Sequence, residues 1–538
     1  MSDKDHNRIN GAQKLVESLE QAQVEVCFAN PGTSEMHFVA ALDGSDNMRA
    51  VLCLAETVVT GAADGYASMA GKPGVTLLHT GPGLGNGIAN LHNAKKALSP
   101  IVNIVGEHAT YHVEYDAPLT ADIEALAAPV SSWVGTCRQS DNVESMAYEA
   151  VENACQHPGR VATLVLPADA AWSPVTDQSN KSPAPAGIRQ AGKSVSTQQL
   201  QGVADILKGN ERAVMILTGQ ALSEQGLQAA SRLQQATGVA LRAQTSNGRL
   251  PRGAGRVFIE PVPYRVETAM AVLSEYQHII RVGAKAPVAF FAYPDKPSKL
   301  YPEHAQVSTL AGEDDDGVQA MERLVDLLNA GDYQPLLEQR KPPAQLPARD
   351  DAINGEAIGL LLAQCLPPDA IVVDEAISNA ATLPQSTRGA NAHDWLQICG
   401  GAIGDGFPLA TGAAIACPER QVVTLQADGS GMYSLQALWT QAREELNITT
   451  LVLANRSYAI LEFEFHNVGA HRQGAAASDG PGKTARDLME LDRPQIDWVA
   501  LAGGMGVSGT RVQTFGELHD AFEKSLSHQG PYLIEVLL

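Results

Sequence analysis

The chain has 538 residues, more than one hydrophobic core normally supports, so two or three domains are expected. Its formal net charge of −22 argues against nucleic acid or an anionic membrane surface as a partner. With 44% hydrophobic and 18% charged residues the composition is that of a globular protein, and no apolar run approaches the ~20 residues of a membrane span.

The cysteines and the N-terminus indicate a cytoplasmic protein. The seven cysteines are scattered, mostly in apolar segments, and form no CxxC or Cys/His metal pattern. Such an odd, unpatterned set is typical of reduced thiols in the cytosol. The first ten residues, MSDKDHNRIN, are polar and lack the apolar region of a signal peptide.

Residues 10–170 alternate predicted helices and strands, which favours a doubly wound parallel sheet. The predicted strands are VEVCFAN, MRAVLCLA, GVTLLHTG, PIVNIVGE and RVATLVLPAD. We expect Gly81, Gly83 and Gly85, in the run GPGLGNG, to shape a loop after the third strand.

Three polar segments follow these strands: the turn NPGTSE from Asn30, Glu56 at the start of a helix, and His79 at a strand end. Each has a structural explanation when taken alone. NPG forms turns, a first-turn Glu is favoured by the helix dipole, and a strand-end His is often structural. Their chemistry therefore depends on the rest of the chain.

Two polar, proline-containing segments, 173–187 and 333–351, are predicted linkers. Residues between them again alternate, with predicted strands near AVMILTG, HIIRVGA and QVSTLAG. The third region starts near residue 352. We therefore expect three domains, over residues 1–172, 190–335 and 352–538.

The most informative stretch is residues 426–458. The apolar run VVTLQA leads to Asp428, ADGSG predicts a turn, residues 434–446 have the spacing of an amphipathic helix, and ITTLVLA ends at Asn455. Both strands of this βαβ unit place polar residues at their carboxyl ends, where ligands bind in parallel α/β sheets.

Asp428 and Asn455 are hard oxygen ligands that suit Mg²⁺ together with a loop carbonyl. Gly429, Ser430 and Gly431 leave backbone amides at a helix start, where a phosphate binds readily. A turn with a capping aspartate is the commoner explanation of a lone DGSG. The asparagine at the end of the next strand favours the metal site.

D-G-S, a helix and a strand ending in Asn together resemble the thiamine diphosphate and magnesium signature of the 2-keto acid decarboxylase and acetolactate synthase superfamily. The resemblance implies that Asp428, the Asn455 side chain and the Ser457 carbonyl hold Mg²⁺. It also implies cofactor contacts for Gly429, Ser430 and Tyr458. Two departures, Ala427 and Ala454 where the family usually has Gly and Asn, replace no metal ligand.

The N-terminal motifs extend the resemblance. CLAETVVTGAADGYA is similar to the family's glutamate helix, which implies that Glu56 hydrogen-bonds the pyrimidine N1′ of the cofactor and activates it. HTGPGLGN resembles benzoylformate decarboxylase, which implies an acid/base role for His79. NPGT resembles the loop in which Asn30 and Pro31 contact the cofactor and Thr33 contacts the substrate carboxylate.

Two further segments of the third domain match the family. DEAIS implies that Ser378 binds a diphosphate oxygen, although a helix N-cap also explains it. GGAIG resembles the loop in which the Gly401 carbonyl receives the 4′-amino group and Ile403 bends the cofactor, a proximity effect. A core position is the alternative for Ile403. Residues 461–464 are expected to wall the substrate pocket, with one or both carboxylates facing solvent.

The central region departs from benzoylformate decarboxylases, which place a second catalytic His near GAKAPVAFFAYPD. Here Phe290, Phe291, Ala292 and Tyr293 offer no imidazole. A decarboxylase uses a second acid to release the aldehyde, whereas a carboligase captures the intermediate with a second carbonyl compound. No motif in this region requires FAD.

The resemblance implies an α/β fold of three doubly wound parallel-sheet domains: pyrimidine-binding, central and diphosphate-binding. We expect a thiamine diphosphate- and Mg²⁺-dependent enzyme that decarboxylates a 2-keto acid and ligates the product to a second carbonyl compound, as in acetolactate synthase. A homodimer or homotetramer with active sites at the subunit interface is implied. The alternatives are a non-ligating decarboxylase of the benzoylformate type and a catalytically silent binding subunit of the same fold.

Overall fold

The computed structural model describes residues 9–176, 183–470 and 480–538. The first eight residues of the predicted N-terminal domain and residues 177–182 of the first predicted linker lie outside the described residues. The described chain forms three α/β sheets of predominantly parallel strands, which confirms the predicted fold class.

The first sheet is entirely parallel and has six strands. Its strands are β1 (Val26–Asn30), β2 (Arg49–Leu52), β3 (Gly74–Leu78), β4 (Ile101–Glu107), β5 (Trp133–Thr136) and β6 (Val161–Pro167). Its helices are α1 (Gly11–Gln21), α2 (Met36–Leu42), α3 (Glu56–Ala70), α4 (Thr80–Ala97), α5 (Ile123–Ala127), α6 (Val143–Cys155) and α7 (Ala168–Trp172). The strand order is β2-β1-β3-β4-β6-β5, and the central strands β3, β4 and β6 are buried along their whole length because helices cover both faces.

The central region supplies a second sheet and one strand of the third. Its strands are β7 (Ala213–Leu217), β8 (Ala240–Ala243), β9 (Leu250–Arg252), β10 (Glu260–Pro261), β11 (His278–Val282) and β12 (Gln306–Ala311). Its helices are α8 (Thr197–Lys208), α9 (Glu224–Thr237), α10 (Val266–Leu273) and α11 (Gly317–Leu327). The sheet order is β10-β8-β7-β11-β12, without β9.

The third sheet has seven strands. Its own strands are β13 (Ala370–Glu375), β14 (His393–Gln397), β15 (Val422–Ala427), β16 (Ile448–Ala454), β17 (Ser508–Val512) and β18 (Tyr532–Leu537). Its helices are α12 (Gly355–Cys365), α13 (Leu383–Ser386), α14 (Gly406–Ala416), α15 (Asp428–Gly431), α16 (Ala437–Arg443), α17 (Ala459–Asn467), α18 (Lys483–Asp487), α19 (Trp498–Gly504) and α20 (Phe515–Leu526). In the order β17-β18-β16-β15-β13-β14-β9, the last strand comes from the central region and pairs antiparallel with β14.

The glycine-rich run 81–87 is helical, so the predicted loop is wrong. It lies in the first turns of α4, which begins directly after His79. A Cβ on Gly83 would lie 3.2 Å from Glu56 Oε1, and a Cβ on Gly87 would lie 2.9 Å from Thr60 Cγ2. These glycines therefore let α4 pack closely on α3, and the packing overrides the low helix propensity of glycine.

The DGSG turn also differs from expectation, because residues 428–431 form the short helix α15. The helix predicted over 434–446 is confined to α16. It stops at Arg443 because Glu445 adopts a left-handed backbone with φ +51°.

Helices α3 and α14 join the first sheet to the third. A Cβ on Gly412 would overlap the backbone of Ala62, and a Cβ on Gly65 would overlap the backbone of Leu409. One hydrophobic core runs through both sheets and includes residues of both helices, such as Val59 and Phe407. The two helices can approach this closely only because glycine stands at the contact points.

All seven cysteines lie in the described residues as free thiols, and four of them are buried: Cys27, Cys53, Cys137 and Cys155. Burial raises the pKa of Cys155 to about 12, so this thiol stays protonated at neutral pH. Within the described ranges, no helix has the length and apolar character needed to cross a membrane.

Replacing Gly412 with Ala should lower the free energy of unfolding by about 1–3 kcal/mol, because the new methyl group overlaps the backbone of α3. The matched control is Gly202→Ala. Gly202 lies on the exposed face of α8 with no neighbour near its Cβ position, so alanine should stabilise by about 0.5–1 kcal/mol. Denaturant unfolding of both variants measures the difference. Equal stability of the two variants would contradict the close contact of α3 with α14.

Candidate active site

The NPG turn and His79 lie side by side at the carboxyl edge of the first sheet. Asn30, the last residue of β1, pairs with Leu78, the last residue of β3. A Cβ on Gly32 would overlap the His79 ring, so the turn packs directly against the imidazole. Thr33 is exposed in the 3-10 turn that follows.

His79 is paired with a buried carboxylate that the sequence analysis did not single out. Glu35 Oε2 lies 2.8 Å from His79 Nδ1 and accepts the Gly32 N–H at 2.7 Å. Glu35 is 2% exposed, and burial raises its pKa while the Gly32 amide and His79 oppose the rise. The pair fixes the imidazole ring and leaves Nε2 available for proton exchange. Glu35 ends the motif NPGTSE, which was the one signal for it.

Glu56 is close to this pair. It is the first residue of α3 and half-buried, and its Oε2 accepts from Asn86 Nδ2 at 3.1 Å. The Cβ position of Gly83 lies 3.2 Å from Glu56 Oε1 and 3.5 Å from His79 Cβ. Two of the three predicted catalytic residues, Glu56 and His79, are thus gathered around one glycine of α4.

The predicted metal ligands meet at the carboxyl edge of the third sheet. Strands β15 and β16 pair in parallel, with Ala427 opposite Leu453, so Asp428 and Asn455 leave the sheet beside one another. Asp428 Oδ2 accepts the Arg456 N–H at 2.7 Å, and its Oδ1 accepts the Gly429 N–H at 2.8 Å.

The residues at this edge fit a magnesium ion. Asp428 is buried, and burial raises its pKa while backbone N–H groups oppose the rise. Each of its oxygens keeps a lone pair beyond the backbone hydrogen bonds, and Asn455 Oδ1 accepts only from the Ser457 N–H at 3.1 Å. The buried Ser457 Oγ has no partner. An all-oxygen set of carboxylate, amide and backbone carbonyl is what Mg²⁺ prefers.

Throughout the described segments, no group of three or more His, Cys, Asp and Glu residues is placed to hold a metal ion. Gly429 packs against the Tyr458 ring, so Tyr458 lies beside the amides of α15.

The predicted loop with Gly401 and Ile403 connects β14 to α14. Gly401 is exposed with φ +78°, and a Cβ there would lie 2.6 Å from Phe290 Cζ. The Phe290 ring of the central region therefore lies next to this loop at Gly401. Ile403 is half-buried, and Ser378 is exposed in the 3-10 turn of Ile377–Asn379.

Helix α17, which follows the loop of residues 455–458, is held against the central region. Glu464 Oε1 accepts from the Tyr264 hydroxyl at 3.0 Å and from the Tyr293 hydroxyl at 3.3 Å. The Arg265 guanidinium lies 4.4 Å from the centre of the Phe463 ring. Of the two carboxylates expected near the pocket, Glu464 is therefore engaged by the protein rather than facing solvent.

The predicted site residues thus form two separate groups. The first is His79 and Glu56 with the NPG turn, to which the structure adds Glu35, and the second is the Asp428–Asn455 edge with the 401–403 loop. Within the described ranges, no hydrogen bond joins Glu56 or His79 to Asp428 or Asn455.

Comparisons with known proteins match both groups. The domain family described as "Thiamine pyrophosphate enzyme, N-terminal TPP binding domain" matches residues 9–127, which contain the first group. The family described as "Thiamine pyrophosphate enzyme, C-terminal TPP binding domain" matches residues 379–536, which contain the predicted metal ligands and the 401–403 loop.

Whole-length relatives extend this match. The chain is 46% identical to "Putative acetolactate synthase large subunit IlvX" of Mycobacterium tuberculosis, over 98% of this chain and 99% of that protein. It is 28% identical to benzoylformate decarboxylase of Pseudomonas aeruginosa, over 97% of each. The solved structure of a Rhodococcus jostii thiamine diphosphate-dependent 4-hydroxybenzoylformate decarboxylase shares the fold, with a TM-score of 0.82 at 24% identity over 98% of this chain and 99% of that one. The chain therefore belongs to the family of thiamine diphosphate-dependent enzymes that includes acetolactate synthase large subunits and benzoylformate decarboxylases.

Proposed function

We propose that the chain is a thiamine diphosphate- and Mg²⁺-dependent carboligase acting on a 2-keto acid. In the overall reaction the bond between the keto carbon and the carboxylate breaks and CO₂ leaves. The former keto carbon then forms a C–C bond to the carbonyl carbon of a second substrate, whose oxygen takes up one proton. Bound thiamine diphosphate supplies a carbon nucleophile and an electron sink for this chemistry.

In this proposal the third sheet holds the diphosphate end of the cofactor. Asp428, Asn455 and the Ser457 carbonyl would hold magnesium, a proposal that the neighbouring positions of Asp428 and Asn455 at one sheet edge support. Gly429 and Ser430 at the start of α15, together with Tyr458 and Ser378, would contact the diphosphate. Gly401 and Ile403 hold the pyrimidine end through a backbone carbonyl and an aliphatic wall.

The first sheet supplies the proton chemistry. With the cofactor bound, Glu56 would hydrogen-bond the pyrimidine nitrogen N1′, a role that its half-buried position at the start of α3 allows. His79, held by Glu35, moves protons at the substrate oxygen. Asn30 and Pro31 line the cofactor side of the NPG turn, and the exposed Thr33 hydroxyl binds the substrate carboxylate.

The side chains that the central region places against the 401–403 loop favour ligation over simple decarboxylation. The ring over Gly401 is Phe290, which cannot donate a proton. Of the ionisable side chains beside it, Tyr264 and Tyr293 both donate a hydrogen bond to the Glu464 carboxylate. Burial first, then the Tyr293 hydroxyl and the Glu464 carboxylate, raise the pKa of Tyr264, so this hydroxyl keeps its proton. Among the described residues beside Phe290, these groups are engaged with each other rather than offered to a reacting carbon, which favours capture by a carbonyl acceptor.

A non-ligating 2-keto acid decarboxylase is the second candidate. The pairing of His79 with Glu35 favours it, because an oriented imidazole can protonate the reacting carbon and so release an aldehyde. The two candidates share every step before that protonation, so products distinguish them.

The separation of the two groups supports a homodimer or homotetramer. A catalytic site needs Glu56 and the metal edge around one cofactor, yet the described chain does not bring them together. A second copy of the chain, offering its first sheet to the third sheet of its partner, would complete each site.

Product analysis tests the reaction. Purified protein with thiamine diphosphate, Mg²⁺ and pyruvate or a larger 2-keto acid should release CO₂ and yield a condensed hydroxyketone, measured by mass spectrometry, with and without an added aldehyde acceptor. Free aldehyde as the sole product would assign the second candidate. Controls without thiamine diphosphate should show no turnover.

Replacing Glu56 with Gln should lower kcat at least about 100-fold, because an amide cannot share a proton with the pyrimidine nitrogen. Cofactor affinity, measured by calorimetry with Mg²⁺, should change little, since the metal edge is untouched. Glu152→Gln, on the exposed face of α6, is the matched control and should behave as wild type. Turnover near the wild-type rate in Glu56→Gln would exclude the proposed role.

The Glu35–His79 contact can be broken from either side. Glu35→Gln removes the charge that holds the imidazole, and Gly106→Ala places a methyl group where Glu35 Oε1 lies. Both should lower kcat about 10-fold or more, because a displaced proton-transfer group loses its geometry. Steady-state kinetics with saturating cofactor measure this. A full rate in both variants would mean that His79 needs no partner.

A further inference from the structure

Asn93 lies in helix α4, which packs on the first sheet. It binds the 401–403 loop, which connects β14 to α14 in the third sheet. It is fully buried. Its Nδ2 donates to the Ala402 carbonyl oxygen at 2.7 Å, and its Oδ1 accepts the Ala402 N–H at 3.2 Å. One amide side chain therefore holds both backbone groups of the same loop residue.

This contact fixes the direction of the Gly401 carbonyl. The Ala402 N–H and the Gly401 C=O belong to one peptide unit, and in a planar trans peptide they point in opposite directions. Because the N–H points at Asn93, the Gly401 carbonyl points away from α4. The same argument turns the Ile403 N–H away from α4, since the Ala402 carbonyl faces Asn93.

Neighbouring contacts hold the loop against the same helix. Asn93 Nδ2 also lies 3.1 Å from Asp405 Oδ2, and His92 Nε2 lies 3.2 Å from the Gly400 carbonyl oxygen. Gly400 is pressed against α4 so closely that a Cβ would lie 2.6 Å from His92 Cδ2. The loop therefore has little room to shift toward the helix.

The opposite end of the loop is held by its own sheet. Glu375, at the end of β13, accepts the N–H groups of Gly404 and Gly406, both at 2.6 Å. Its Oε2 also accepts from Gln426 Nε2 at 2.9 Å. Asn93 therefore holds the Gly401–Ala402 peptide by hydrogen bonds, whereas Glu375 holds the peptides that lead into α14.

We infer that Asn93 is a positioning residue that orients the Gly401 carbonyl, the group assigned above to the 4′-amino group of the cofactor. The expected effect on cofactor binding rests on the proposed function. The hydrogen bonds between Asn93 and Ala402 do not depend on it. A loop without Asn93 keeps its attachment at Glu375 and loses the fixed direction of one carbonyl. Cofactor affinity and turnover should then fall together, while substrate affinity stays close to that of the wild type.

Asn93→Ala tests the inference first in the protein without cofactor. Hydrogen exchange of the Ala402 amide should become about 10-fold faster, because its hydrogen-bond acceptor is gone. The Gly404 and Gly406 amides should keep their slow exchange. With Mg²⁺ present, calorimetry should show thiamine diphosphate binding about 10-fold weaker, and kcat at saturating cofactor should fall about 10- to 100-fold with little change in the KM of the keto acid.

Asn103→Ala is the matched control. Asn103 is equally buried and bonds two threonine hydroxyls, Thr76 at 2.6 Å and Thr163 at 3.0 Å, but it lies within the first sheet. It should lower stability without changing exchange of the loop amides or cofactor affinity. If both variants speed exchange of the loop equally, general destabilisation explains the effect and the inference is wrong.

Gly400→Ala approaches the same contact from the loop side and is available if Asn93→Ala does not fold. Its methyl group would push the loop off Asn93 and should reproduce faster exchange at Ala402. Unchanged exchange at Ala402 in a folded Asn93 or Gly400 variant would overturn the inference. A wild-type protein that binds no thiamine diphosphate would instead overturn the proposed function, and the exchange experiment would still decide the role of Asn93.

Discussion

The close contact of α3 with α14 is the constraint on which the rest of the structure depends. Helix α3 begins with Glu56, and α14 begins directly after the 401–405 loop. Because glycine lets the two backbones touch at Gly65 and Gly412, the positions of both functional segments are set by one rigid contact. A side chain at either glycine would move the start of one helix relative to the other.

Buried carboxyl groups lie on or next to the two helices that form this contact, α3 and α14. Asp64 of α3 accepts from the Ser99 hydroxyl, and burial raises its pKa to about 6. Asp405, just before α14, has a pKa raised well above its usual range, first by burial and then by Asp64 and Glu375. These groups remain compatible with a buried interface because they are hydrogen-bonded or protonated. The interface therefore combines glycine contacts with buried carboxyl groups whose pKa values are raised.

The sequence predicted most of the strands and the placement of Asp428 and Asn455 at one sheet edge, because buried parallel strands are continuous apolar runs that end in polar residues. Asp428 and Asn455 follow β15 and β16 as expected. The glycine run 81–87 was misassigned, because the close packing that makes it helical involves α3 and is not visible locally. Glu35 and Asn93 were missed for a related reason. Their partners, His79 and Ala402, lie 44 and 309 positions away, and only the fold brings them together.

Helix α4 connects the two halves of the candidate site within one chain. Its first turns pack on Glu56 and follow His79, and its later turns hold the Gly401–Ala402 peptide. In the proposed dimer these two ends serve different active sites, because each site takes its first sheet from one subunit and its third sheet from the other. A flexible loop at residues 81–87 would separate the two ends mechanically. The continuous helix instead joins these two ends in one rigid element, and the glycines of residues 81–87 let that element pack close to α3.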